Sequence, residues 1–129
     1  MTATDPVLSD QGPKLAAIST LTVRLFGQYT GRGPSKARTF IADDMVIVVL
    51  QDMLTTGELT LVDNDRAEIV LATRRIFQDV MSTELTAGIE QILQRSVLAF
   101  LSANHIDPDI AIGAFLLAPS QHQPAQSTE

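Results

Sequence analysis

The chain has 129 residues, 45% of them apolar and 19% charged, with a formal net charge of −6 and no cysteine. That length suits one domain able to bury roughly two-thirds of its unfolded surface, and the composition excludes global disorder. Lack of cysteine excludes disulfides, thiolate chemistry and cysteine-ligated metal, and the acid excess argues against nucleic-acid binding, which needs Lys and Arg to neutralise phosphates.

Aromatic content is low, with five Phe, one Tyr and no Trp, so the core must rest on Leu, Ile, Val and Ala. The longest nearly apolar run, Met45–Leu50, falls far short of the roughly 20 residues that span a bilayer. Met1-Thr2-Ala3-Thr4-Asp5-Pro6 lacks the charged and apolar regions of a secretory signal, so a cytoplasmic protein is expected. Charge is unevenly placed. Gln11 to Ala42 holds Lys14, Arg24, Arg32, Lys36 and Arg38 and no acid, whereas thirteen acids face four arginines from Asp43 onward. Two readings of this asymmetry stay open: a local anion site, or oppositely charged faces of neighbouring subunits.

In chain order, residues 1–12 read as a flexible leader. Gly12-Pro13 opens a helix of about 13–29, since a first-turn proline loses no hydrogen bond. Leu15, Ile18, Leu21 or Thr22, Leu25 and Tyr29 recur at helical spacing, with Phe26 flanking the stripe. Gly31 and Gly33 stop the helix, and Pro34 fixes the exit. Lys36–Ile41 reads as a strand, Ala42-Asp43-Asp44 as a tight turn, and Met45–Leu50 as a central strand covered on both faces. Thr55-Thr56-Gly57-Glu58 fits a capping box that opens a short helix ended by Asp63-Asn64. Asp65 is the expected N-cap of the longest helix, whose buried stripe is read as Ile69, Thr73, Ile76, Phe77, Val80, Leu85, Ile89 and Ile92. Ser82-Thr83 is a candidate kink, and Gly88 a point of close approach. Val97–Leu101 and Ile110–Leu117 read as strands around a turn from Asn104 to Asp109. The tail, 119–129, has no apolar pattern and is expected to be disordered.

The plan predicts one α+β domain over 13–118: a two-layer sandwich in the order αββ-ααββ, with a four-stranded, mainly antiparallel sheet and helices on one face. The order suggests a duplicated αββ unit without a residue-level repeat. The second sheet face would be apolar and in need of cover, which predicts a homo-oligomer, a dimer being favoured, or a partner surface.

Catalytic chemistry finds little support. His105 with Asp107 and Asp109 is the one cluster that resembles a metal site, and a polar turn explains it better, so neither metal nor cofactor is expected. No nucleophile elbow occurs. Gly31-Arg32-Gly33-Pro34-Ser35-Lys36 resembles a phosphate loop only in composition, because its spacing is wrong and it follows a helix. A helix stop and strand start is the simpler reading. The functional alternative is an anion pocket built from Gly31, Arg32, Gly33, Lys36 and Arg38, with Arg74 facing it. Arg74 and Arg75 point about 100° apart, so at most one faces the core, where it would need an acid such as Glu58 or Asp52.

These residues carry a family resemblance. Tyr29-Thr30-Gly31-Arg32-Gly33-Pro34, then Leu54-Thr55-x-x-Glu58-x-x-Leu61, Thr73-Arg74 with Phe77, and Val97 to Leu117 including Leu101-Ser102, Asp107, Asp109 and Phe115, occur in the order and spacing of the MpsC-like family. This former domain-of-unknown-function family takes its name from the third component of a proposed Na+-translocating, membrane-potential-generating system in bacteria. The resemblance spans about residues 14–117. The chain departs from the family in lacking a Gly at Asp52 or Met53, a Pro at Thr56 and a Gly at Gln94. The resemblance implies a non-enzymatic accessory or regulatory subunit linked to membrane ion or inorganic-carbon transport, with a membrane-protein partner, and not a pore. The competing expectation is a small-anion or nucleotide sensor at Gly31–Arg38.

Overall fold

The computed structural model describes residues 6–119. The elements run α1 (Pro6–Thr30), β1 (Lys36–Ala42), β2 (Met45–Gln51), α2 (Thr56–Asp63), α3 (Ala67–Leu93), β3 (Val97–His105) and β4 (Ile110–Leu117). This is the expected α+β order. The strands form one antiparallel sheet in the order β1-β2-β4-β3, with α1 and α3 packed on one face. Two hairpins are thus joined through their second strands, the arrangement a doubled αββ unit produces.

The core lies between the helix pair and the sheet. Ile18, Leu25 and Phe26 of α1 meet Met81, Leu85 and Ile89 of α3 above Val46, Val48, Leu50, Ala111, Phe115 and Leu117. Branched aliphatics dominate because aromatics are scarce, and the Phe100 and Phe115 rings stack at 4.7 Å across β3 and β4. The helices approach closely at Gly88, where an added Cβ would lie 2.3 Å from Leu21 Cδ2. At its far end α1 is tied to α3 by the Tyr29 hydroxyl, which donates to the Glu84 carboxylate. The hairpin turn at Asp43-Asp44 is held from the opposite hairpin: Arg95 pairs with Asp44 at 2.6 Å and also bonds the carbonyl of Ala118.

Each described helix is followed within two residues by one in the left-handed region. Gly31, with φ 84°, returns its N–H to Gly27 O. Asp65, with φ 62°, bonds Val62 O while Arg66 N–H reaches Leu61 O, which closes α2 in a Schellman arrangement. Gln94, with φ 56°, bonds Glu90 O. The predicted capping box at Thr55 and Glu58 is present in full.

Four expectations need correction. First, α1 begins at Pro6 and not at Pro13, which sits inside it. The proline ring holds φ at a helical value, so the helix passes through it and forgoes one backbone bond. Residues 1–5 of the predicted leader and 120–129 of the tail lie outside the described residues. Second, Asp65 does not cap α3. Its backbone is spent closing α2, and Arg66 takes the N-cap position without a side-chain cap. Third, α3 is continuous through Ser82-Thr83, and the first half of its stripe is rotated. Val70, Arg74, Gln78 and Met81 face inward, whereas Ile76 is 62% exposed and Ile69 and Val80 are exposed beside it. Two polar residues take core positions because partners from the β3–β4 hairpin meet them there; Gln78 and Asn104 exchange amide hydrogen bonds at 2.8 and 3.0 Å. Fourth, β2 is central but covered on one face only. Val46, Val48 and Leu50 are buried, and Met45, Ile47 and Val49 are partly exposed. The strand lacks alternation because its outer side is apolar too.

Two tests follow from the helix ends and the α1–α3 tie. Gln94→Gly should relieve the left-handed strain and stabilise the fold by about 1 kcal/mol, seen as a higher denaturation midpoint at unchanged m. Tyr29 titrates above its usual value, because its hydroxyl donates to Glu84, with burial and the Glu84 charge adding to the effect. Glu84→Gln should bring that titration down, which ultraviolet absorbance can follow cleanly in a chain with one Tyr and no Trp.

Candidate functional site

The basic loop leaves α1 at Gly31 and enters β1 at Lys36. Its tightest point is Gly33, where an added Cβ would lie 3.0 Å from the carbonyl oxygen of Val23. Beyond it, Pro34 is buried and Ser35 N–H bonds Gln51 O at 3.1 Å, fixing the start of the β1–β2 ladder. The loop's N–H groups are therefore turned largely to internal use: Gly31 to Gly27, Arg32 to the Thr30 hydroxyl, Ser35 to Gln51.

The six residues singled out in the sequence take different surroundings. The Arg32 side chain reaches back to donate to Asp52 O at 3.2 Å. Lys36 and Arg38 lie on the face of β1 turned away from the helices, where the Arg38 guanidinium sits 5.5 Å from the Phe40 ring centroid. Arg74 is 4% exposed and lies on the inward face of α3. Gly31 and Gly33 shape the link between these places.

Arg32 borders an open cleft of about 480 Å³ together with Ser35, Leu54, Leu59, Val62 and the carboxylates of Asp52, Asp63, Asp107 and Asp109. The cleft owes its shape to one carboxylate that sequence reasoning did not connect with Arg74. Asp109 Oδ1 pairs with Arg74 Nη2 at 3.2 Å, and Asp109 Oδ2 accepts from Met53 N–H and Leu54 N–H, each at 2.7 Å. Asp52 N–H bonds Asp109 O as well. The acids proposed for Arg74 are engaged elsewhere: Glu58 in the capping box, Asp52 with the Ser35 hydroxyl at 2.7 Å. Nothing local in the sequence links position 74 to 109; only the fold does. Arg74 Nη1 is buried and has no hydrogen-bond partner among the described residues. In the turn, His105 Nδ1 lies 2.9 Å from Pro108 O, and among the described residues no three His, Asp or Glu side chains are grouped to hold a metal.

The other large feature is the sheet face opposite the helices. Register places its outward side chains in four rows across β1, β2, β4 and β3: Ala42, Met45, Leu116, Ala99; Phe40, Ile47, Ala114, Leu101; Arg38, Val49, Ile112, Ala103; and Lys36, Gln51, Ile110, His105. The first three rows are apolar apart from Arg38. Leu101 is 63% exposed and Ile112 40%, with Phe40 and Leu116 also open to solvent. No described helix is long and apolar enough to cross a membrane.

A family model described as the Na+-translocating membrane potential-generating system (MpsC) matches residues 10–119. The chain belongs to the MpsC family. No curated protein and no solved structure matches it. The matched span covers every strand, the buried Arg74–Asp109 pair and the open sheet face of this MpsC chain. Asp52 and Gln94, neither of them a glycine, have φ of 60° and 56°. A glycine suits both, because the left-handed region carries no penalty without a Cβ.

The Arg74–Asp109 pair is testable through asymmetry. Asp109→Asn leaves a buried guanidinium without its counter-charge and should destabilise the fold by about 3 kcal/mol. Arg74→Met removes the charge together with its desolvation cost, leaves Asp109 on its two N–H donors, and should cost about half as much. Chemical denaturation of the two variants compares them directly.

Proposed function

We propose that this chain is a non-enzymatic accessory or regulatory subunit of the Na+-translocating, membrane-potential-generating system for which its family is named. It works from the cytoplasmic side through protein contacts, and no step of ion movement passes through the chain itself. The observation that carries this reading is the uncovered sheet face. Contiguous exposed apolar surface beyond a few hundred Å² is rare on proteins that act alone and marks contact surfaces. The two described ion pairs support it further: Arg74 with Asp109 and Arg95 with Asp44 join strands, helices and turns.

Membrane vesicles from cells that lack this chain should build a smaller Na+-dependent potential, read with a potential-sensitive dye. Purified wild-type protein should restore it. Ile112→Asp puts a carboxylate at the centre of the outer face, away from the helix-packed core, and should restore little. Full restoration by Ile112→Asp, or an unchanged potential without the chain, would count against the reading.

A further inference from the structure

We infer that the open sheet face is occupied by a second copy of this chain, packed face to face about a two-fold axis that runs across the strands. The inference rests on the reading of that face as the contact surface, and it names the partner and the geometry.

Size is the first argument. Four strands of about seven residues give a flat footprint of about 450 Å², and pleating and projecting side chains carry the accessible area towards the roughly 800 Å² per partner of a standard interface. A second sheet matches this shape, as in sandwiches whose layers pack about 10 Å apart.

Self-complementarity is the second argument. A two-fold axis across the strands sets each row against another of the partner: the Phe40 row against the Arg38 row, and the Ala42 row against the Lys36 row. Large side chains then meet small ones. Leu101 faces the partner's Ala103, and Ala114 faces the partner's Ile112. Phe40 meets the partner's Arg38, a guanidinium that already lies against an aromatic ring within its own strand.

Charge selects this axis over the alternative. The basic side chains Lys36 and Arg38 lie towards one end of the face, while the exposed hairpin tip Asp43 follows Ala42 at the other end. An axis across the strands brings Lys36 to the partner's Asp43, twice by symmetry. An axis along the strands would instead bring Lys36 towards the partner's His105 and give Asp43 no cation from β1.

Sedimentation equilibrium of the full chain tests the arrangement. Wild type should be dimeric at micromolar concentration, with a dissociation constant that rises with ionic strength because exposed charge pairs are screened. Lys36→Glu should weaken the dimer about tenfold, since it opposes two carboxylates at both symmetric contacts. Asp43→Lys should weaken it similarly, and the double variant Lys36→Glu/Asp43→Lys should return most of the affinity. Circular dichroism confirms that each variant is folded, and the salt dependence of wild type stands even if one is not. A wild-type monomer at tens of micromolar overturns the inference, as does a dimer whose two folded charge variants show no mutual rescue. A monomer that still loses vesicle activity on Ile112→Asp would end this inference and leave the accessory-subunit reading in place.

Discussion

Met53 and Leu54 are both buried where the chain leaves β2, and their backbone N–H groups go below the surface with them. Buried donors without acceptors cost more than most single contacts return. Asp109 resolves the problem by placing one carboxylate oxygen against both groups and the other against Arg74. One side chain thus joins the end of β2, the inward face of α3 and the start of β4. The remaining features of that corner depend on it. Asp52 keeps its left-handed backbone while bonding Asp109 O, Arg32 bonds Asp52 O, and Ser35 bonds its carboxylate.

That dependence explains which parts of the fold were legible in the sequence. The hairpins, the capping box, the glycine stop after α1 and the close approach at Gly88 all follow from local rules, and all are present. The phase of α3 could not be read the same way. Apolar spacing favoured Ile76 and Val80, yet the helix turns Arg74 and Gln78 inward. Their partners, Asp109 and Asn104, come from a hairpin that follows α3 in the chain. Hydrophobic periodicity treats a polar residue as a surface residue, and it fails where long-range pairing satisfies that residue. Asp65 was misread for a related reason: an aspartate before a helix resembles a cap, but its backbone was already committed to ending α2.

The basic residues singled out in the sequence could be read there, but the faces they take in the fold could not. Arg32, Lys36, Arg38 and Arg74 fall close together in the argument from charge, but alternation along β1 sends Lys36 and Arg38 to the outer face. Arg32 turns back to Asp52, and Arg74 goes beneath the surface. A strand directs successive side chains to opposite faces, so a basic run that enters a strand is divided by geometry.

The same alternation gives the exposed face its character. On β2 both phases are apolar, and only one meets the helices. A strand built this way would be wasteful in an isolated two-layer domain, because Ile47 and Val49 contribute little while water reaches them. Covering them would add to stability in proportion to the apolar area removed from solvent. The face also carries Lys36 at one end and lies beside Asp43 at the other, so a cover must satisfy charge as well as shape. The family is described by a Na+-translocating, membrane-potential-generating system, and a surface of this kind suits assembly better than it suits catalysis. The sheet holds its side chains in fixed rows, and that rigidity lowers the entropy lost when a partner binds. Arg74 and Asp109 contribute indirectly, because they fix the end of β2 and the start of β4 and so set the register of the two central strands that carry the face.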